Sequence, residues 1–244
     1  MTKMMRRALI NFFFRLFIFS IVFIAYIFDK KTLVELMTRK FSMGYGQFGI
    51  SLLHVLWAIF MIMMLGHIFP NNSLSMAFKK GKKGNFVPVE NYSRLSLLEF
   101  VQNMNIKAWI VMLVWLSFNA IFALLYLLKI IDNADMLMLT VFFYLSDYIC
   151  IVFFCPFQTN IMKNKCCVNC RIYDWGHFMM FTPMLFIKNF FSWSLFFTAL
   201  LVMLRWEVNY AKHPERFWEG SNSSLQCKNC KEHVCYIKNK VKRK

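Results

Sequence analysis

The chain has 244 residues, of which 59% are hydrophobic, 18% aromatic and only 17% charged. Soluble domains carry charge on about a quarter of their residues, so this balance excludes an ordinary soluble enzyme and points to a multi-pass membrane protein. Its 29 Lys and Arg outnumber 12 Asp and Glu, but the basic residues are spread through the loops, without the basic and aromatic interleaving of a nucleic-acid module. The expected partner for that charge is a bilayer with anionic headgroups, and no nucleic acid.

A hydrocarbon core of about 30 Å takes roughly 20 apolar residues per helix. Runs of that length at 8–28, 48–69, 108–130 and 136–158 predict four transmembrane helices. Lys3, Arg6 and Arg7 precede the first run as in a secretory signal. The run is too long for a signal's apolar segment and no small-residue cleavage site follows it, so it reads as an uncleaved span. The second run begins after Gly44-Tyr45-Gly46 and ends at Pro70-Asn71-Asn72, both helix-breaking contexts. In the loop that follows, Lys79, Lys80, Lys82 and Lys83 are expected to be solvated and to face lipid headgroups. Ser96-Leu97-Leu98-Glu99 fits a capping box that opens an amphipathic lead-in to the third run.

The fifth apolar stretch, 178–204, carries Pro183 and, near its middle, Lys188-Asn189. It reads as one interrupted span or as a hairpin that turns back, and charge separates the two. With the N-terminus inside, a returning stretch leaves 22 basic residues inside against 5 outside, whereas a crossing stretch leaves 12 against 15. Cytoplasmic loops hold the excess of Lys and Arg, so the hairpin is preferred and both termini are expected in the cytoplasm. The expected fold is all-α: a four-helix transmembrane domain over 1–158, a cysteine-rich loop at 159–177, a membrane-dipping hairpin or fifth span at 178–204, and a basic, cysteine-containing cytoplasmic tail at 205–244.

All eight cysteines lie beyond residue 149. Cys167-x-x-Cys170 and Cys227-x-x-Cys230 form two knuckles, and such a pair supplies the four thiolates of a tetrahedral site. These four are the expected metal ligands, with Cys155, Cys166, Cys235, His177 and His233 as additional or alternative ones. Zinc is the favoured ion because paired C-x-x-C knuckles are its commonest pattern. An iron-sulfur cluster is the alternative, because nearly all candidate ligands are sulfur, and thiol redox chemistry also stays open. The run Cys150 to Pro156 resembles the C-x-x-x-C-P segment of membrane-bound ferredoxin-like subunits, but with four residues between the cysteines instead of three, and no function is carried over from it.

Charge inside the membrane suggests function by default. Asp147 falls near the centre of the fourth run, with Arg15 in the first and Asn119 in the third within expected reach, while His54 and His67 lie in the second. No phosphate loop, dinucleotide fingerprint, nucleophile elbow or zinc-protease helix is present. Three functions follow: a metal-binding accessory or scaffold subunit of a membrane complex, a membrane-bound oxidoreductase component, or a transporter that uses Asp147 and Arg15.

Overall fold

The computed structural model describes residues 2–31, 34–35, 41–42, 49–69, 77, 80, 82–164, 166–230, 232–233, 235 and 237–238. Gly44–Gly46, Pro70–Asn72 and Lys79 lie outside these. After α1 (Lys3–Phe28), β1 (Phe41–Ser42) and β2 (Gly49–Ile50) form a minimal antiparallel pair with Phe41 opposite Ile50. Then come α2 (Leu52–Ile68), α3 (Arg94–Leu127), α4 (Asn133–Val152), the short α5 (Gly176–Phe181) and α6 (Phe190–Lys212).

Among the described residues four helices are long and apolar enough to cross a membrane, and they are α1, α3, α4 and α6. The set differs from the sequence expectation. α2 has 17 residues, at the lower end of the range of about 17–25 for a crossing helix, because Ser51 caps it and fixes its start after residue 50. α3 merges the amphipathic lead-in with the third run into one helix of 34 residues. Its cap is Ser93, whose hydroxyl accepts from the Ser96 N–H, and not the expected Ser96. α4 stops at Val152, six residues before the expected end, and Pro156 leads into a wide π-helical turn over Phe157–Ile161.

The fifth stretch doubles back. α5 and a 3-10 turn over Thr182–Phe186 enter the bundle, the chain reverses at Ile187–Asn189, and α6 returns alongside. The pairing is antiparallel: Trp193 Nε1 donates to the Leu185 carbonyl at 3.1 Å, the Phe178 and Phe196 rings meet at 5.9 Å, and Trp206 Nε1 donates to the Arg171 carbonyl at 2.6 Å. The reversal leaves little unpaired backbone. Asn189 N–H donates to the Ile187 carbonyl at 2.8 Å, and Asn189 Oδ1 accepts from Phe191 N–H at 3.2 Å. The return arm is longer than expected, running through the charged Arg205-Trp206-Glu207 segment to Lys212.

The hairpin is the centre of the main core. Trp115 of α3 donates to Thr182 Oγ1 at 3.1 Å and meets the Phe143 ring of α4 at 4.7 Å with the planes tilted by 57°, and Trp57 of α2 donates to Ser194 of α6 at 2.7 Å. α1 packs on α4 outside this core. Lys30 reaches Asp135 at 2.6 Å at one end, Asn11 donates to the Tyr148 hydroxyl at 2.9 Å, and the Phe12 and Phe153 rings meet at 5.1 Å toward the other. The outer faces of the long helices are apolar and exposed, as Phe17, Ile27, Trp109 and Leu113 show at 61–68%. Thr2 Oγ1 donates to the Glu232 carbonyl, so the start of the chain and its tail meet at one end of the bundle.

Ala199 is fully buried where α6 meets its neighbours. An Ala199→Leu variant is expected to be destabilised by about 1–3 kcal/mol through overpacking. Ile62→Leu, on an exposed face of α2, is expected to leave thermal unfolding in detergent unchanged.

Candidate functional site

Between α3 and α4, below the loop that follows α4, lies an apolar cavity of about 570 Å³. Aromatic side chains form most of its wall, and Cys150, Cys155, Cys167 and Cys170 also line it, with Ser146, Asp147 and Gln158. α4 supplies Cys150 on its last turn, and its end at Val152 turns Cys155 back beside it. The π-helical turn brings Gln158 inward and the Cys167–Cys170 turn, closed by Cys170 N–H to the Cys167 carbonyl at 3.0 Å, completes the wall.

The thiols differ in character. Cys155 accepts hydrogen bonds from the Cys150 thiol and the Gln158 N–H, and the Lys238 charge lies nearby, which together bring it down to about 6. Burial pushes the Cys170 thiol up to about 12 and raises Cys167. Lys238 from the tail is itself buried, with Nζ 2.7 Å from Cys167 Sγ and 2.8 Å from Gln158 Oε1. Cys155 is thus the thiol of this wall that its surroundings make more acidic, beside neighbours that burial pushes up, and the Lys238 amine is held at Cys167.

The structure does not show the expected four-sulfur knuckle. Among the described residues no three His, Cys, Asp or Glu side chains are grouped so as to hold a metal ion. Cys227 is exposed on a 3-10 turn, whereas Cys170 is buried in the main core. Cys230 and Cys235 do lie near Cys166, close enough to act on it electrostatically. Of the alternative ligands, His233 is exposed and His177 is engaged elsewhere. Lys80 also departs from expectation. It is 2% exposed rather than solvated, with Nζ 5.9 Å from the Trp206 ring and 5.7 Å from Phe217, and burial lowers it to about 8. Two aromatic faces replace water around the amine. Lys83 is exposed and Lys82 half-buried.

The charged pair inside the bundle does meet. Arg15 Nη1 lies 3.0 Å from Asp147 Oδ2 and 2.6 Å from the Tyr144 carbonyl, and the guanidinium is sandwiched at about 4 Å between the Tyr144 and Tyr148 rings. Gly176 permits this, since a Cβ there would stand 2.7 Å from Asp147 Oδ1. Beside it His177 Nε2 and His67 Nδ1 are 3.0 Å apart, with Asp174 Oδ1 3.7 Å from His67. Burial raises the Asp174 carboxyl well above its usual range. Asn119 is not part of this group: its amide donates to the Trp115 carbonyl at 2.9 Å and it lines a separate apolar cavity of about 390 Å³ on the other face of α3. His54 accepts from the Ser51 N–H at 3.2 Å at the start of α2.

Sequence reasoning missed Gln158, Asp174, Gly176 and Lys238. Only Asp174-Trp175-Gly176-His177, a polar run leading into an apolar stretch, carried a signal. Comparison with protein-family models, with curated proteins and with solved structures found no match, so the chemistry rests on this geometry. Removing one partner of a buried ion pair strands the other. Asp147→Leu is expected to cost about 3 kcal/mol of stability by this principle, and Arg15→Met with Asp147→Leu is expected to recover most of it in detergent unfolding.

Proposed function

We propose that this chain is a membrane thiol oxidoreductase whose cysteines exchange an electron pair by making and breaking a disulfide. The observation that carries the reading is that four thiols, in two sequence-adjacent pairs, line one apolar cavity. Cys155 is the nucleophile, because the thiolate is the reacting form and Cys150, Gln158 and Lys238 all favour it. Cys150 is its partner, already hydrogen-bonded to it. Oxidation joins the two sulfurs and releases two electrons and the Cys150 proton. Cys167 and Cys170 form the second pair, which exchanges with the first through a mixed disulfide. The distribution of basic residues supports a cytoplasmic position for this end of the bundle, where dithiols are kept reduced.

A second reading is favoured by the approach of Cys230 and Cys235 to Cys166 and by the buried ammonium groups of Lys80 and Lys238 beside the same sulfurs. A cysteine-ligated metal, zinc first and an iron-sulfur cluster second, carries negative charge that these amines would balance. The chain would then be an accessory or scaffold subunit of a membrane complex. Elemental analysis and a visible spectrum of anaerobically purified protein separate the two, since metal in proportion to protein supports only the second.

Alkylation of Cys155 by a maleimide is expected to rise with pH through a midpoint near 6, and Lys238→Met is expected to move that midpoint upward. Mild oxidation is expected to join Cys155 in a disulfide that Cys150→Ser diminishes. A midpoint in the ordinary thiol range, about 8.5, with no disulfide formed, defeats the proposal.

A further inference from the structure

We infer that the cavity between α3 and α4 holds the ring of a membrane quinone, which the dithiol reduces. This rests on the thiol reading and names its substrate class. Three observations converge. Trp115, Phe118, Phe142, Phe143, Phe154 and Phe157 surround the space with flat faces, the surfaces on which a planar ring packs best. Its volume of about 570 Å³ falls among small-molecule sites, roughly 300–1,000 Å³. Its polar side chains are few, chiefly Ser146, Asp147 and Gln158, and Gln158 lies against Cys155 and Cys167.

The mouth selects the occupant. Val114 and Phe118 of α3, Phe142 of α4 and Phe154 just beyond its end line the cavity and are 41–48% exposed. Both helices are long and apolar enough to span, so the opening is lateral, toward hydrocarbon. A water-soluble disulfide or peptide does not partition there, whereas a ring on an isoprenoid chain enters from the lipid and leaves its tail in it. A plain acyl chain fits the walls too but gives the thiols nothing to reduce.

The chemistry balances. The Cys155 thiolate and the Cys150 thiol together lose two electrons and the Cys150 proton, and one S–S bond forms. The quinone ring takes up both electrons, its two oxygens take up that proton and a second one from water, and hydroquinone departs to the lipid. An external dithiol then restores the pair by exchange through Cys167 and Cys170, and is itself released as a disulfide.

The test uses the full-length protein, reduced, freed of excess reductant and held without oxygen in detergent. A short-chain alkyl benzoquinone is added, and hydroquinone formation is followed beside loss of alkylatable thiols. Hydroquinone formed in step with loss of a thiol pair is expected, together with quenching of Trp fluorescence on binding. Phe154→Ala is expected to weaken apparent affinity by roughly three- to tenfold, the worth of one aromatic contact, with maleimide reactivity of Cys155 unchanged. A parallel sample receives diamide. If diamide forms the disulfide and the quinone does not, the quinone assignment falls and the thiol reading stands. If neither forms it, the thiol reading itself fails. If a saturated alkyl alcohol of the same chain length protects the thiols as well as the quinone does, the cavity is a lipid site and the assignment is overturned.

Discussion

A chain that reverses direction among apolar helices must satisfy its backbone groups within the protein, because apolar side chains offer no hydrogen bonds. The hairpin of α5 and α6 meets that demand with local bonds at Ile187–Asn189, a tryptophan indole on the Leu185 carbonyl, and helices on its flanks. The other placements depend on it. α2 can be short because it lies against α6 rather than crossing alone. The loop after α4 must return to the end where the hairpin starts, which sets Cys167 and Cys170 above the gap between α3 and α4. The cavity is thus what remains when two straight helices and one bent-back segment cannot fill the same volume.

Charges in the bundle are handled by the same rule. Arg15 is covered by two tyrosine rings and a carboxylate, so α1 is fixed in register on α4 at modest desolvation cost. Arg171 is handled similarly, with Glu207 and Asn105 as partners and the Tyr210 ring 4.1 Å away, which pins the start of the hairpin to its return arm. Glu207 also accepts from Trp175 Nε1 at 2.9 Å. These acidic residues serve as anchors. Lys238 differs from them, because its partners are a thiol and an amide oxygen.

The features legible in the sequence were those written in local residue type. Asp147 and Arg15 stood out because each interrupts an apolar run, and depth alone suggested that they could meet. The reversal was legible because Pro183 and Lys188-Asn189 break one stretch and because the basic residues then fall on one side. The cysteine site was legible only as a neighbourhood. The C-x-x-C spacing of Cys227 and Cys230 suggests a shared ion, yet Cys227 stays exposed while Cys150, which looked like a small apolar residue, lines the cavity. Spacing reports which sulfurs can turn together, and the packing of distant segments decides which of them do. Lys80 fails for the same reason, since the rings of Trp206 and Phe217 that cover it lie far along the chain.

The contact between Thr2 and Glu232 links two parts of the sequence that the cavity does not touch. Thr2 caps α1 and also donates to the Glu232 carbonyl, and six residues further on Lys238 reaches Cys167 at 2.7 Å. The cover on the sulfurs is thus fastened to the first turn of a helix that contributes nothing to the cavity wall, so a change at that cap reaches the thiols through the tail and leaves the aromatic lining as it is.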